Sequence, residues 1–217
     1  MILHLIRHGE MKGDPHRHDQ PPVRNCLSAR GVRQAASLAR AFRGVRLDRI
    51  VASPLGRALQ TAQALLRGRK LRIELAPWIV EWRPNPDLMK AESTQFERMM
   101  RRYGDLPVEQ TWKTGAGESL LQMADRIIPG FQQMLRAEGV RAARGGWLVS
   151  PRSRKRVLVL VAHGGSLNVL FQYLIGAPLR PGPCVAFEQT GVVTFRFAER
   201  AGVAYPELVI SPPLKMR

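Results

Sequence analysis

The fold of this chain is constrained most by an uninterrupted apolar run, VLVLVA, at residues 157–162. An apolar run without polar alternation is typical of a strand that is covered on both faces, as in a parallel sheet with helices on each side. Mostly apolar runs of the same length at residues 1–6 and 47–52 also predict buried strands. Segments with helical spacing separate these runs, and strands that alternate with helices indicate an α/β fold with a mostly parallel sheet.

The remaining elements are predicted from spacing, caps and helix-stopping residues. Further strands are expected at residues 71–75, 185–188 and 192–198, and helices at residues 29–43, 54–66, 93–103, 118–138 and 166–175. Ser28 and Ser53 are the expected N-caps of the first two helices, and Pro129 is expected to kink or divide the fourth. Residues 140–156 are basic and contain glycine, which predicts a solvated connector within one domain.

Composition limits the classes of protein to which the chain can belong. Its 217 residues, 45% of them hydrophobic, suit one domain with a substantial core. The formal net charge of +17 favours anionic ligands through long-range attraction. The basic residues are mostly scattered arginines, and the aromatic residues, at 6%, are not interleaved with them. This pattern argues against nucleic acid as the primary partner, because single-strand binding needs aromatic stacking platforms.

The cysteines and the N-terminus indicate a cytoplasmic protein. Cys26 and Cys184 are far apart in sequence, and neither belongs to a CxxC pair or a metal-ligand cluster. The apolar run at residues 1–6 is too short for a secretory signal, and no stretch approaches a membrane-spanning length. His16 and His18 resemble a metal-binding pair, but loop histidines beside proline and arginine are usually solvated. No metal, cofactor or membrane partner is therefore expected, and the oligomeric state, a homodimer included, is left open.

Polar groups suited to phosphate chemistry follow three of the apolar runs, at the point where each predicted strand ends. The three segments are RHGE at residues 7–10, SPLGRALQTA at residues 53–62 and HGGS at residues 163–166. Because the carboxyl ends of neighbouring parallel strands meet at one edge of a sheet, they are expected to bring Arg7, His8, Arg57 and His163 together. A helix N-terminus near Ser166 adds amide donors to the same edge.

These side chains fit phosphoryl transfer, which needs mainly positioning and charge neutralisation. The guanidinium groups of Arg7 and Arg57, with the imidazole of His163, can surround the transferred oxygens while neutral His8 attacks in line. The leaving alkoxide needs a proton, which a carboxylic acid with a raised pKa can supply. The same group, as a carboxylate, can then activate water to cleave phosphohistidine. No metal ion is needed for these steps.

The same motifs resemble those of the histidine phosphatase superfamily, also called the phosphoglycerate mutase-like family. The resemblance rests on LIRHGE at residues 5–10, NCLSARGVRQA at 25–35, SPLGRALQTA at 53–62, GES at 117–119 and AHG at 162–164. The motifs occur in the family's order and at its approximate spacing. The resemblance implies one three-layer α/β domain over residues 1–217. In it, helices flank a mostly parallel sheet, and a helical lid insertion at residues 82–117 covers the substrate.

For the site, the resemblance implies that His8 is phosphorylated during turnover. Arg7, Arg57 and His163 would form the phosphate pocket around it. The proton donor would be a glutamate downstream of the SPLGRALQTA motif at residues 53–62, which by position is Glu81.

The chain departs from the family's pattern after the first motif, and some assignments stay open. The family often has Ser or Thr after this motif and Asn a few residues on, where this chain has Met11 and Asp14. An aspartate beside a phosphate is electrostatically unfavourable, so we expect Asp14 to point away from the pocket.

The alternatives to Glu81 as the acid are Glu92, Glu97 and Glu109. Glu118 is expected to favour the helix over residues 118–138 through its dipole.

Three functions are compatible with these motifs. The leading one is a phosphomonoesterase that acts on a small phosphorylated metabolite through His8. The alternative is a phosphoglycerate mutase, because RRY at residues 101–103 resembles the substrate-binding arginines of mutases. Against it, WRP follows Glu81, where mutases usually carry RHYG. A non-catalytic binding protein is the third reading, but such a protein is expected to lack part of the pocket, and here all four residues are present.

Overall fold

The computed structural model describes residues 1–13, 26–83, 98, 101–102, 106–111, 113, 116–143, 145–200 and 202–209. Eight strands in this part are β1 (Ile2–Arg7), β2 (Arg49–Ala52), β3 (Ile73–Leu75), β4 (Val140–Ala143), β5 (Gly146–Val149), β6 (Val157–Ala162), β7 (Val192–Arg200) and β8 (Val203–Val209). The helices that flank them are α1 (Ala29–Ala41), α2 (Gly56–Leu66), α3 (Leu120–Ala137) and α4 (Gly164–Leu174). A short 3₁₀ helix, Pro77–Ile79, follows β3.

The strands lie in one sheet in the order β3-β2-β6-β1-β7-β8-β5-β4. β3, β2, β6 and β1 run parallel to one another. The other four strands extend the sheet from β1 in antiparallel pairs. The predicted α/β fold with a central sheet between helices is confirmed. Because β6 lies between β1 and β2, the carboxyl ends of these three strands meet at one edge of the sheet.

Side chains of β6 alternate between two cores, which explains why its sequence is apolar throughout. Leu158, Leu160 and Ala162 pack into the larger core, which α3 and α4 cover. Val159 and Val161 pack into the second core, under α1 and α2. All five side chains are at most 1% exposed. Burial of apolar area on both faces, at about 25 cal/mol per Å², therefore stabilises β6 at the centre of the domain.

The segment over residues 140–156 is not the solvated connector that its basic sequence predicts. It contains the hairpin of β4 and β5, followed by a 3₁₀ helix, Pro151–Ser153. Val140 and Trp147 are buried in the larger core, and Gly145, with φ of +77°, allows the turn between the strands. The prediction was wrong because Val140 and the short run WLV at residues 147–149 are too few apolar residues to give a periodic signal within a basic segment.

The strands after α4 also differ from expectation. Residues 185–188 are not a strand, whereas β7 is present and is longer than the predicted 192–198. β8 was not predicted, and its central residue Pro206 argues against a strand because proline cannot donate to a ladder. Pro206 lies opposite Phe197 of β7, while the pairing of β8 with β5 is at Ala204. Pro206 is thus tolerated because β8 does not pair with β5 at this residue, so no backbone N–H is needed on that edge of the strand.

The helices follow the predictions closely, with one exception inside α3. Gly139 and Gly176 have φ of +73° and +68°, which confirms that they end α3 and α4. α3 is continuous through Pro129, so of the two effects expected of this proline, a kink or a division, the division does not occur. Ile127 and Phe131, on either side of the proline, are fully buried, and their packing outweighs the loss of one helical hydrogen bond.

Much of the predicted lid insertion, residues 82–117, lies outside the described residues, so its covering role stays a prediction. Arg98, Arg101 and Arg102 are helical and exposed, as the expected helix over 93–103 requires, while Tyr103 is outside the described part. None of the helices described is both long and apolar enough to cross a membrane.

Candidate active site

His8 is the first residue after β1, and its ring is held in one tautomer. The Nδ1 atom lies 2.6 Å from the carbonyl oxygen of Gly9. Because a carbonyl only accepts hydrogen bonds, Nδ1 carries the proton and donates it. The Nε2 atom is left with a lone pair, which accepts a hydrogen bond from Nε of Arg57 at 3.0 Å. His8 therefore presents an unprotonated nitrogen to the space beside Arg57.

The surroundings of His8 keep this imidazole neutral. Burial, together with the positive charges of Arg57 and Arg7, lowers the pKa of His8 from 6.5 to about 3, whereas the Gly9 carbonyl opposes the shift. Only 6% of the residue is exposed. The side chain is thus available as a nucleophile at neutral pH.

The lowered pKa of His8 predicts how stability depends on pH. Unfolding restores a pKa near 6.5, so the unfolded chain binds an extra proton between that pH and about 3. Stability therefore falls as the pH falls through this window. Between about pH 6 and about pH 4, we expect the free energy of unfolding of the native protein to fall more steeply than that of the His8→Gln variant. The difference between the two slopes is about 1.4 kcal/mol per pH unit. Urea unfolding at a series of pH values measures the two slopes, and equal slopes would contradict the assignment.

Two guanidinium groups flank His8. Arg7, the last residue of β1, donates from Nη1 to the carbonyl oxygen of Phe187 at 2.7 Å. Its Nε atom is buried and has no hydrogen-bond partner among the described residues. Arg57, in the first turn of α2, is 2% exposed. Burial lowers the pKa of Arg57 to about 10, with the carboxylate of Glu81 opposing the shift, so Arg57 remains charged at neutral pH. A buried guanidinium and a half-buried one on either side of His8 are suited to binding a dianion.

His163 follows β6 directly and lies against His8. The two rings have centroids 5.0 Å apart, and Nε2 of His163 is 2.8 Å from Oγ of Ser53. Both His163 and Ser53 are fully buried. The predicted role of Ser53 as the N-cap of α2 was wrong, because α2 begins at Gly56 after Leu55. The hydroxyl instead orients the second imidazole, a contact between two motifs that neither motif reveals alone.

Glu81 follows the 3₁₀ helix, and its carboxylate binds the N-terminus of α4. It accepts hydrogen bonds from the backbone amides of Gly165 at 3.1 Å and Ser166 at 3.2 Å. A Cβ atom on Gly165 would lie 2.5 Å from the carboxylate, so glycine permits this approach. The positive end of the helix dipole favours a negative group at this place. Of the alternative acids, Glu109 is exposed, and Glu92 and Glu97 lie outside the described residues.

The structure thus brings all five predicted site residues to one edge of the sheet. Arg7, His8 and His163 lie at the ends of β1 and β6, Arg57 enters from α2, and Glu81 from the segment after the 3₁₀ helix. The positions of Asp14, His16 and His18 lie outside the described part of the chain.

Thr61 is a residue that sequence reasoning missed. Its hydroxyl accepts from the amide of Gly9 at 3.1 Å and donates to the carbonyl of Arg57 at 2.8 Å, so it links the first two motifs.

α1 packs directly on the backbone that follows His8, and Gly31 makes this possible. A Cβ atom at Gly31 would clash with the carbonyl oxygen of Glu10. The carboxylate of Glu10 accepts a hydrogen bond from the hydroxyl of Ser28, the N-cap of α1, at 2.6 Å. The start of α1 therefore fixes the course of the chain at the first motif.

Substitution of Gly31 by alanine is expected to destabilise the protein. In an exposed helix this change stabilises by about 1 kcal/mol, because alanine has the higher helix propensity. Here the clash is with backbone, which cannot rotate away, so we expect a loss of about 1–3 kcal/mol. Thermal unfolding of Gly31→Ala measures the sign, and a higher melting temperature would contradict this packing.

The sequence is similar to those of known proteins. The family model of the histidine phosphatase superfamily (branch 1) matches residues 3–205. The adenosylcobalamin/alpha-ribazole phosphatase of Escherichia coli (strain K12) is 30% identical over 178 residues, which cover 82% of this chain and 81% of that enzyme. A probable phosphoglycerate mutase of Proteus mirabilis is 26% identical over 183 residues, which cover 81% of this chain and 75% of the relative.

A solved structure shows the same fold. Mycobacterial glucosyl-3-phosphoglycerate phosphatase superimposes with a TM-score of 0.73 at 23% identity, over 96% of this chain and 97% of that chain. The match of the family model extends from β1 into β8 and includes all the motifs described above. The chain therefore belongs to branch 1 of the histidine phosphatase superfamily.

Proposed function

We propose that the protein is a phosphomonoesterase that hydrolyses a small phosphorylated metabolite through a phosphohistidine on His8. The observation that carries this proposal is the neutral Nε2 of His8, held 3.0 Å from Arg57 and beside His163. An unprotonated imidazole beside the guanidinium groups of Arg57 and Arg7 is suited to attack on a phosphate dianion. The relative named as an alpha-ribazole phosphatase supports hydrolysis as the reaction class.

In the first step, a phosphate group takes the place of His8 as the partner of Arg57. Nε2 of His8 then attacks phosphorus, and the bond to the leaving alkoxide oxygen breaks. Glu81, in its protonated form, gives its proton to that oxygen. Arg7, Arg57 and His163 stabilise the charge on the three oxygens that are transferred.

In the second step, water replaces the alcohol. The Glu81 carboxylate takes a proton from the water as its oxygen attacks phosphorus, and the bond to Nε2 of His8 breaks. Inorganic phosphate and neutral His8 result, and Glu81 is protonated again for the next cycle. The amides of Gly165 and Ser166 hold the side chain of Glu81 at the edge of the pocket.

A phosphoglycerate mutase is the second candidate, because several relatives carry that name and the first step is the same. In a mutase the phosphohistidine passes its phosphate to another hydroxyl group instead of water. A coupled assay with 3-phosphoglycerate, with and without 2,3-bisphosphoglycerate, separates the two. We expect release of inorganic phosphate from a phosphomonoester, whereas formation of 2-phosphoglycerate would reverse the order of the candidates.

The proposal is tested by release of inorganic phosphate from a panel of small phosphomonoesters, among them p-nitrophenyl phosphate, sugar phosphates and phosphoglycerates. We expect hydrolysis of p-nitrophenyl phosphate and faster hydrolysis of at least one metabolite. The absence of phosphate release from every ester would contradict the proposed function.

A further inference from the structure

We propose that Arg126 and Glu118 are positioning residues that hold the proton donor Glu81 in place for catalysis. The proposal rests on the function proposed above, in which Glu81 protonates the leaving group. Neither residue is among those that form the phosphate pocket. They act on the backbone of the segment that carries Glu81.

Arg126, on α3, binds the main chain that leads up to Glu81. Its Nη1 atom donates to the carbonyl oxygens of Trp78 at 2.7 Å and Val80 at 3.2 Å. Its Nη2 atom lies 3.5 Å from the carbonyl oxygen of Glu81 itself. One planar guanidinium therefore sets the path of the chain up to the catalytic carboxylate.

Glu118 binds the segment that carries Glu81 from its other end, and we call the pair of Arg126 and Glu118 the clamp. Its carboxylate pairs with Arg126 through two contacts, Oε1 to Nη2 at 2.5 Å and Oε2 to Nε at 3.2 Å. Oε1 also accepts from the amide of Arg83 at 2.9 Å. The carbonyl oxygen of Glu118 accepts from Nε1 of Trp82 at 2.7 Å. The two residues after Glu81 are thus tied to Glu118, as the residues before it are tied to Arg126.

This role differs from the one expected for Glu118. It precedes α3 and is not in the first turn, because Ser119 is the N-cap and forms a reciprocal capping pair with Gln122. The side chains of Glu118 and Arg126 are 12% and 16% exposed, so the charges are largely removed from water. Loss of one partner leaves the other charge buried and unpaired, and the groups that it bound are released.

The position of Glu81 then depends on two anchors. The amides at the start of α4 hold its carboxylate, and the clamp of Arg126 and Glu118 holds its backbone. Proton transfer requires the acid within hydrogen-bond reach of the leaving oxygen, and a displacement of about 1 Å costs about 10²-fold in rate. Loss of the clamp should therefore impair the steps in which Glu81 moves a proton, and spare a step that needs no proton.

The test compares two esters with the intact protein and the variants Glu118→Gln and Arg126→Lys. Glycerol 2-phosphate has a poor leaving group that needs protonation, whereas 2,4-dinitrophenyl phosphate has a good leaving group that does not. The quantity measured is kcat/KM, which reports on formation of the phosphoenzyme. We expect kcat/KM to fall about 10–100-fold for glycerol 2-phosphate and to change less than about threefold for 2,4-dinitrophenyl phosphate.

Glu138→Gln is the matched control. Glu138 also forms an ion pair with arginines, Arg49 and Arg156, both at 3.1 Å, and its side chain is 10% exposed. This pair lies where β2 and β6 begin, at the opposite edge of the sheet from the site. We expect Glu138→Gln to lower the melting temperature as Glu118→Gln does, with no difference between the two esters.

The outcomes separate the clamp from the function on which it rests. If Glu118→Gln and Arg126→Lys lose the same factor in kcat/KM on both esters, the positioning role is overturned and the phosphatase function stays intact. The same conclusion follows if kcat/KM of Glu138→Gln also falls more for glycerol 2-phosphate than for 2,4-dinitrophenyl phosphate. If the native protein hydrolyses neither ester, the positioning role and the phosphatase function are both overturned. Arg126→Lys keeps the charge but cannot bridge the carbonyls and Glu118 together, so it provides a second variant with a milder effect on folding.

Discussion

Replacement of His8 by alanine is expected to lower kcat for p-nitrophenyl phosphate by at least about 10⁴-fold, because the reaction loses its nucleophile. No other imidazole in the described site is placed like His8, whose Nε2 lone pair lies beside Arg57. His163 is nearby, but its Nε2 is 2.8 Å from the hydroxyl of Ser53. Initial rates over a range of substrate concentrations measure the effect.

His4→Gln is the control for this variant. His4 lies on β1, the strand that precedes His8, hydrogen-bonds to Thr194 at 2.8 Å and packs edge-on against Phe42. Burial lowers its pKa to about 4, so it too is a neutral histidine, but it lies outside the site. We expect this variant to lose stability and to keep a kcat within about threefold of the native value. Retention of rapid turnover by His8→Ala would refute the nucleophilic role.

Replacement of Arg57 by alanine is expected to lower kcat/KM by about 10³-fold, the scale at which an arginine stabilises a phosphoryl transition state. Its guanidinium is buried, charged and adjacent to the attacking nitrogen. A second effect follows from its charge, because Arg57 also lowers the pKa of His8. Without it, the pKa of His8 rises, and the acid limb of kcat/KM moves to higher pH.

The pH profile therefore distinguishes Arg57 from a residue that only supports the fold. Arg67→Ala, which removes an exposed arginine just after α2, is the control and should change neither the rate nor the profile. Arg57→Lys keeps a positive charge without the guanidinium, so we expect a smaller loss and a smaller shift. An Arg57→Ala variant whose acid limb stays in place would contradict the electrostatic role given to Arg57.

The site could be predicted from sequence because its residues lie at ends of strands. Apolar runs locate β1, β2 and β6, and parallel pairing then brings Arg7, His8 and His163 to one edge. Ser53 and Thr61 also lie in the motifs, yet their contacts connect different motifs and depend on packing. A motif gives residue types in order, and it does not give the partner across the site.

The clamp and the C-terminal half of the sheet could not be predicted for related reasons. Arg126 binds backbone carbonyl oxygens 45 to 48 residues away, and any residue supplies a carbonyl, so no pattern marks the partner. The hairpin of β4 and β5 is anchored by the buried side chains of Val140 and Trp147 within a segment of basic sequence. Tertiary packing, which local spacing does not encode, determines both features.

The central claim, a phosphohistidine on His8, is tested most directly by trapping the phosphoenzyme. Glu81→Gln lacks the base that activates water, so with 2,4-dinitrophenyl phosphate it should form the phosphoenzyme and hydrolyse it slowly. After rapid quenching under alkaline conditions, mass spectrometry should locate one acid-labile phosphate on His8. Phosphate on another residue, or a full turnover without any phosphoenzyme, would contradict the account.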